Sequence, residues 1–295
     1  IDGSLFLSDN CRLNANTARD QGGGLCLAYY AGAEIVQAQI CNNVSSNLGG
    51  GVYANYASVD AYDSVIAANH AETRGGGMCL ENETYAGVNA TERPMLVQSN
   101  SASAGGGVWV GSNCTFAAYA FDSQPFTIGG NSARAEGGGV AVSNGSFSAV
   151  GDVRISANTA GLDGGGLHAQ AASQLAFAMA GAGAWIHANS ASNGGGLCAR
   201  DADTFCQLYG VLLGGDTPAE GNYAGANGGG AALFDGAMLD AVSIKVRHNR
   251  SNLNGGGVYA YRSRVDVNSD AMSIANPMLP DTWFTHNRAT NDSIY

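Results

Sequence analysis

Apolar and polar residues alternate in short stretches along the chain, and the same pattern returns after each run of three glycines. The triplet occurs nine times, beginning at Gly22, Gly49, Gly75, Gly105, Gly137, Gly164, Gly194, Gly228 and Gly255. The first and third residues after each triplet are apolar and the second varies, as in Val140, Ala141 and Val142. Apolar residues at every second position predict a short β-strand with one buried face.

The residues before the triplets repeat as well. An asparagine lies five or six residues before each triplet, and a tenth follows the same pattern without a triplet behind it: Asn16, Asn43, Asn69, Asn100, Asn131, Asn158, Asn189, Asn222, Asn249 and Asn287. Two residues after every one of them is Ala or Ser, and three residues before nine of the ten is a large apolar residue, Ala219 being the exception. Neighbouring triplets are 26 to 34 residues apart, a spacing typical of repeat architectures.

One such repeat is too short to bury its own apolar face, whereas stacked copies share a continuous core. Segments with the 3.6-residue period of helical solenoids are absent. The sequence therefore predicts an all-β fold: a single right-handed parallel β-helix solenoid of about ten coils, with about 29 residues per coil. It is expected to span residues 1–295 as one domain, with three strands per coil, the asparagine at a corner and the triplet at the turn into the first strand.

The ten corner asparagines would then lie above one another, one strand spacing of about 4.8 Å apart. Their side-chain amides can both donate and accept hydrogen bonds along the stack. We therefore expect these ten residues to form an internal asparagine ladder.

The unit formed by Phe126, Asn131, Ala133, Gly137–Gly139 and Val140 resembles the repeat of the chlamydial polymorphic outer-membrane-protein family. That family is built on Phe or aliphatic, Asn and Gly-Gly-apolar signatures. The resemblance covers nearly the whole chain. It implies a right-handed β-helix on a cell surface or in secreted material, often with an adhesive role.

The low content of charged residues and the negative net charge limit the classes of binding partner. Charged residues make up 13% of the chain, the net charge is −11, and Lys245 is the only lysine. This balance argues against nucleic acid and anionic membrane surfaces. The longest weakly polar run, residues 175–186, is too short to span a bilayer, so no membrane insertion is expected.

The sequence also predicts no metal site and no cofactor. There are seven cysteines without a CxxC pair, which disfavours zinc-binding or thioredoxin-like chemistry. Cys198 and Cys206 are close enough in sequence to close a local loop. For the five histidines, surface or corner packing is favoured over metal binding.

No catalytic residue is predicted, although enzymes that act on pectin share this fold and catalysis must be judged from a site. The candidate carboxylate pairs are Asp60 with Asp63, Asp201 with Asp203, and Asp266 with Asp270. Each pair is isolated in a different coil, which favours solvated loop residues. The predicted outward-facing aromatic residues Tyr53, Trp109 and Tyr259 can stack on sugars, but several coils separate them, which favours packing.

Asn-x-Ser/Thr sequons predict candidate glycosylation sites. The candidates are Asn82, Asn89, Asn113, Asn144 and Asn291; Asn43 and Asn249 also head sequons but belong to the ladder. Asn82, Asn113 and Asn144 follow consecutive triplets and are expected to line one edge of the rod. A stripe of glycans there is a hypothesis for a eukaryotic source. The alternative is that turns of the Asn-Gly-Ser type create sequons that are never modified.

The two ends of the sequence read as halves of one coil. The chain begins IDGSL and stops at NRATNDSIY, where the next triplet is expected, and the joined ends resemble GVAVSNGSF. This predicts head-to-tail contacts between copies through Ile1, Asp2, Leu5, Ser293, Ile294 and Tyr295. The alternative is a piece of a longer repeat protein.

The sequence therefore favours a non-enzymatic extracellular or cell-surface structural protein. Its expected form is a rigid rod that stacks head to tail into a filament or forms a surface stalk, with other copies of itself as partners. One alternative is a carbohydrate-binding surface adhesin, with glycans as partners. The other is a polysaccharide lyase or hydrolase. Adjacent exposed aromatic residues would favour the adhesin, and a carboxylate cluster beside an arginine in a groove would favour the enzyme.

Overall fold

The computed structural model describes residues 3–8, 10–120, 124–178, 183–268 and 282–290. Over these residues the chain is a parallel β-solenoid of right-handed type, with about nine turns of about 30 residues and no helix. Four parallel sheets run along it, three with ten strands and one with nine. The predicted fold class is confirmed, and the predicted number of coils is close to the observed one. Among the described residues there is no helix that could span a membrane.

Each of the first nine coils contributes one strand to every sheet, in the order first, second, third and fourth, and the last described coil contributes to the first three. The first sheet contains Ser4–Leu7, Gly32–Val36, Ser58–Tyr62, Tyr85–Ala90, Thr115–Ala120, Ser146–Gly151, Gln174–Ala178, Phe205–Tyr209, Met238–Val242 and Arg264–Asn268. The second contains Arg12–Asn14, Gln39–Cys41, Val65–Ala67, Met95–Gln98, Phe126–Gly129, Val153–Ser156, Trp185–His187, Leu212–Gly214, Lys245–Arg247 and Trp283–Thr285.

The other two sheets flank the glycine triplets. The third contains Thr17–Ala18, Val44–Ser45, His70–Ala71, Ser101–Ala104, Ser132–Glu136, Thr159–Ala160, Ser190–Asn193, Tyr223–Asn227, Arg250–Ser251 and Arg288–Ala289. The fourth contains Leu25–Ala28, Val52–Asn55, Met78–Glu81, Val108–Val110, Val140–Ser143, Leu167–Gln170, Leu197–Arg200, Ala231–Phe234 and Val258–Tyr261.

The prediction of three strands per coil is one strand short. The third sheet lies between the corner asparagine and the triplet, and it carries the Ala/Ser position, as in Thr159–Ala160. Many of its strands are only two residues long, too short for an alternating pattern to appear in the sequence.

One continuous apolar core runs inside the coils. Phe116 and Phe147 are register partners in the first sheet, Phe177 pairs with Ala149 on the next strand, and all three rings are almost fully buried. Their ring centroids are 5.7 and 5.6 Å apart. Burying each such ring stabilises the fold by roughly 1.5–3 kcal/mol, so stacking the coils provides the core that no single coil has.

Ala219 is not the core residue of its coil, contrary to the sequence alignment. Leu213 is fully buried and takes that position in the second sheet. Residues 215–221 form a loop before Asn222, and Ala219 is exposed on it. This loop accounts for the longest spacing between triplets, 34 residues.

The chain turns at each corner through a residue in the left-handed backbone conformation. In nine coils the residue directly before the ladder asparagine has φ between 54 and 63°: Ala15, Asn42, Ala68, Ser99, Gly130, Ala157, Ala188, His248 and His286. This conformation costs a non-glycine residue about 1–2 kcal/mol, so the contacts at the corner must offset it. His248 and His286 lie on adjacent corners with their rings stacked 4.8 Å apart, in line with the corner packing expected for them.

Candidate functional site

Each glycine triplet fits closely against neighbouring backbone and the asparagine ladder. Gly137 has a φ of 62°, which favours glycine. A Cβ on Gly138 would lie 2.6 Å from the carbonyl oxygen of Thr159, and one on Gly139 would lie 3.0 Å from Nδ2 of Asn158. The triplet is therefore a densely packed corner, and each glycine is needed for its own steric reason.

The corner asparagines form a continuous hydrogen-bonded ladder. Oδ1 of Asn158 accepts from the backbone N–H of Asn131 at 2.9 Å and from its Nδ2 at 3.0 Å. Nδ2 of Asn158 donates to the carbonyl oxygen of Ile128 at 2.9 Å and to Oδ1 of Asn189 at 3.0 Å. The same contacts recur along the described chain from Asn16 to Asn287, so the buried amides are satisfied by one another.

The ladder has a direction, which leaves the two ends different. Every interior asparagine donates to the next coil and accepts from the previous one. At one end, Oδ1 of Asn16 accepts no hydrogen bond from the described residues. At the other, the backbone N–H of Asn287 has no acceptor among them. Among the described residues, the ladder therefore ends in an unused acceptor on one side and an unused donor on the other.

The end coils also expose side chains that interior coils bury. Phe284 pairs with the fully buried Val246 in the second sheet but is 46% exposed, and Trp283 is 49% exposed. At the opposite end Leu13 pairs with the fully buried Ile40 but is only partly buried. Phe6 is 61% exposed, but it lies on the outer face of the first sheet, where its register partner Glu34 is exposed as well. Leu5, predicted as an end-to-end contact, lies in the first coil and packs partly buried against the core. The other five predicted contacts, Ile1, Asp2, Ser293, Ile294 and Tyr295, lie outside the described residues.

Three sequon asparagines share one edge of the rod. Asn82, Asn113 and Asn144 are exposed, have φ values of 48, 57 and 55°, and lie in the turns between the fourth and first sheets of successive coils. The backbone N–H of Asn113 donates to the carbonyl oxygen of Asn144 at 2.8 Å. The side chain of Asn82 instead donates to Asn55, at 2.8 Å.

The remaining sequons differ in accessibility. Asn89 lies within Tyr85–Ala90 and is half-buried. Asn43 and Asn249 are fully buried in the ladder. Asn291 lies outside the described residues.

A second buried layer covers the outer face of the fourth sheet. We call it the outer layer. It consists of the second of the three residues that follow each triplet, which we call the middle position, and of the residue just before the triplet. Between Leu48 and Trp109 it is mostly apolar, with Arg74 as the charged member. Tyr53, Cys79, Trp109 and Ala141 pack in this layer against Leu48 and Ala104. The sequence does not indicate this layer, because nothing in it shows that the triplet folds the preceding residue back over the strand.

Burial in the outer layer prevents Tyr53 and Trp109 from stacking on sugars. Tyr53 and Trp109 are only 4% and 6% exposed, so their ring faces are not open to sugars. Burial raises the pKa of Tyr53 to about 12, and the guanidinium of Arg74 lies 4.6 Å from the Trp109 ring centroid. The expectation that these two side chains face solvent is wrong. The interpretation favoured from the sequence, that they serve packing, agrees with the structure.

Further along the rod the outer layer becomes polar. Asp163 precedes its triplet, and His168 and Cys198 occupy the middle position in neighbouring coils, where they pair in register. One ligand atom from each of the three buried side chains lies within 4.8 Å of the others. Oδ2 of Asp163 also lies 2.6 Å from Nε of Arg200. About 30 residues separate the contributing coils, so no local motif could indicate this cluster.

The seven cysteines are all free thiols. Cys198 lies in the fourth sheet with its side chain in the outer layer, whereas Cys206 lies in the first sheet and belongs to the main core. A loop closed by these two residues is therefore not formed. Burial raises the pKa of Cys206 to about 12 and that of Cys198 well above its usual value, so both stay protonated at neutral pH.

Three tyrosines meet on the outer face of the first sheet. Tyr62, Tyr85 and Tyr119 lie in three successive coils, and we call them the tyrosine patch. Tyr85 is 42% exposed. The pKa of Tyr85 is raised mainly by burial and to a lesser extent by the nearby Tyr119 and Asp60. Tyr62 and Tyr119 share one register position, which Asn89 occupies in the coil between them, and Tyr85 lies four residues earlier. No repeated aromatic position therefore marks the patch in the sequence.

The candidate carboxylate pairs lie in different surroundings. Asp63 is buried and accepts hydrogen bonds from the backbone N–H of Thr91 at 2.7 Å and from its hydroxyl at 2.9 Å. Asp201 and Asp203 are exposed turn residues, and Asp270 lies outside the described residues. Asp60 faces outward on the first sheet, and burial raises its pKa.

One groove on the outer face of the second sheet combines carboxylates with basic residues. Asp152 accepts two hydrogen bonds from Arg154, both at 2.8 Å, and Asp216 forms an ion pair with Arg247. Lys245 also lines the groove. A carboxylate held by an arginine fork is a poor general base, so this groove favours structural ion pairs over acid–base catalysis.

No protein-family model, curated protein or solved structure matches the chain. The resemblance to the chlamydial polymorphic outer-membrane-protein repeat therefore depends on the sequence motif, and the solenoid fold on the structure.

Proposed function

We propose that this protein is a non-enzymatic structural rod, located outside the cell or on its surface, that stacks head to tail on further copies of itself. The observation that carries the proposal is the complementarity of the two ends of the described solenoid. The sequence resemblance to a surface-protein repeat supports the location.

Stacking would continue the ladder across the joint. Each interior asparagine donates its backbone N–H to Oδ1 of the next one at 2.9–3.1 Å. In the part of the chain that the structure describes, this donor of Asn287 has no acceptor and Oδ1 of Asn16 has no donor, so the two could pair between copies. Because the ladder runs in one direction, it favours head-to-tail contacts over head-to-head ones, and such contacts give open filaments when they do not close.

Apolar burial would add to this joint. Phe284 at one end is 46% exposed and Leu13 at the other is only partly buried, although both pair with fully buried core residues of the second sheet, and a further coil would cover them. The outermost strands pair on one side only among the described residues, and a neighbouring copy would add backbone hydrogen bonds on the other side. Filament or stalk formation therefore uses the same interactions that hold interior coils together.

The proposal predicts reversible, concentration-dependent association. In sedimentation velocity, the wild-type chain is expected to shift to larger particles as concentration rises. Phe284→Lys should remain monomeric, because a charge at the joint would be desolvated without a partner. The control Leu162→Lys changes a residue that is 55% exposed on an interior coil, and it should associate like wild type. A wild-type chain that stays monomeric, or equal association of the Phe284→Lys chain, would contradict the proposal.

The second candidate function is carbohydrate binding at the tyrosine patch. Tyr62, Tyr85 and Tyr119 are adjacent aromatic residues on one exposed face, the arrangement that favours sugar stacking. Asp60 and Asn89 beside them can accept or donate hydrogen bonds to hydroxyl groups. With Asp60 present and a net charge of −11, neutral sugars are favoured over acidic ones.

Titration with a panel of neutral oligosaccharides tests this candidate. Tyr85→Ala is expected to weaken binding about tenfold, the equivalent of one lost stacking contact. Tyr223→Ala is the matched control, since Tyr223 is 37% exposed but lies on the third sheet. If none of the oligosaccharides binds, this candidate function is ruled out. It is also ruled out if Tyr85→Ala and Tyr223→Ala lose the same amount of affinity.

A further inference from the structure

We propose that Asp163, His168 and Cys198 form a binding site for a divalent transition-metal ion, with Zn²⁺ as the best chemical match. The site lies in the outer layer of interior coils, far from both ends, so it is independent of head-to-tail assembly. It joins the segment before one triplet to the fourth sheet of two neighbouring coils.

The strongest observation is an unused nitrogen on His168. This side chain is 1% exposed, and its Nε2 lies 3.1 Å from Oε1 of Gln170. Because an amide oxygen can only accept, Nε2 carries the proton and Nδ1 carries a lone pair. Nδ1 is buried and has no hydrogen-bond partner in the described part of the chain. A buried lone pair whose ring is held from the other side is the usual state of a metal-ligating histidine.

Asp163 is oriented in a comparable way. Its Oδ2 lies 2.6 Å from Nε of Arg200, and its Oδ1 accepts from Nδ2 of Asn193 at 3.0 Å. A carboxylate oxygen that accepts one hydrogen bond keeps a second lone pair for an ion. Arg200 and Asn193 therefore act as positioning residues that fix the carboxylate beside His168.

Cys198 completes a mixed nitrogen, sulfur and oxygen donor set. Its side chain is fully buried and is the register partner of His168 in the fourth sheet. Zn²⁺ takes these three ligand types in tetrahedral sites and accepts water as a fourth ligand. On binding, a metal–sulfur bond forms and the thiol proton of Cys198 leaves to solvent. The partly exposed side chain of Arg200 marks the solvent side of the site.

The other coils provide a comparison within the same molecule. At the middle position of the outer layer, Ala141 precedes His168 and Ala232 follows Cys198. These coils fold with alanine there. The substitutions His168→Ala and Cys198→Ala therefore copy side chains that the layer already accommodates, and both variants are expected to fold.

Cobalt serves as the probe, because a cysteine-bound Co²⁺ ion gives a sulfur-to-metal charge-transfer band. Titration of the reduced wild-type chain with Co²⁺ should give this band at one ion per chain, and Zn²⁺ should displace it. His168→Ala and Cys198→Ala should lose the band while keeping wild-type circular dichroism. Gln170→Ala should weaken binding roughly 10–100-fold, as loss of an orienting partner does.

Cys79→Ala is the matched control. Cys79 is a fully buried cysteine at the same position of the outer layer, with Tyr53 and Trp109 as its register neighbours. This variant should keep the cobalt band. The proposal is overturned if the folded wild-type chain gives no cysteine-to-cobalt band. It is also overturned if His168→Ala binds like wild type, or if Cys79→Ala loses the band as Cys198→Ala does.

Discussion

Asn158→Ala is expected to lower the free energy of unfolding by about 3–5 kcal/mol. The substitution removes the acceptor for both the backbone N–H and Nδ2 of Asn131 and the donor to the carbonyl oxygen of Ile128. These groups are buried in the middle of the rod, where water cannot replace the lost partner. Denaturation in urea, followed by circular dichroism, measures the effect.

Asn16→Ala is the control within the same ladder. Asn16 is exposed in the first coil, and its Oδ1 accepts nothing from the described residues. Its loss should cost under about 1 kcal/mol, since water can satisfy the exposed groups. Similar losses of stability in the two variants would show that the ladder is not the source of the stabilisation at the corner.

Gly139→Ala is expected to destabilise the protein by about 3 kcal/mol or more. The added Cβ would lie 2.6 Å from the carbonyl oxygen of Gly166 and 3.0 Å from Nδ2 of Asn158. Backbone cannot move aside easily, so the corner and the ladder must both shift. Thermal and urea unfolding of the purified variant measure the loss.

Gly225→Ala is the matched control for this prediction. Gly225 lies in the strand Tyr223–Asn227, and a Cβ there would be no closer than 3.8 Å to its neighbours. Restricting the unfolded chain should make this variant neutral or about 0.4–1 kcal/mol more stable. Destabilisation of both variants to the same extent would mean that glycine is needed for chain flexibility and not for close packing.

The fold was predictable because its sequence signal repeats. The alternating residues after each triplet indicate the fourth sheet, and the constant distance between asparagine and triplet indicates a stacked corner. Asn158 and Gly139 illustrate this, since they lie in adjacent coils and their contact is a contact between repeats. The third sheet was missed because strands such as Thr159–Ala160 are too short to show a period.

Sites formed by residues from different coils were harder to predict from the sequence. His168 and Cys198 are 30 residues apart but neighbours in the fourth sheet, and Asp163 joins them only because its triplet folds the chain back over the strand. Tyr62, Tyr85 and Tyr119 come together only through the strand register. The sequence already suggested matching end coils, but the ladder donor of Asn287 and the ladder acceptor of Asn16 that the proposed joint would use become visible only when the atoms are placed.

The central claim is that these rods assemble end to end, and electron micrographs of the purified chain over a range of concentrations test it most directly. Ten strand levels at about 4.8 Å correspond to a subunit length of roughly 45–50 Å. We expect particles of one constant width whose lengths are multiples of the subunit length and increase with concentration. Particles of a single subunit length at every concentration, or particles that associate side by side, would contradict the account.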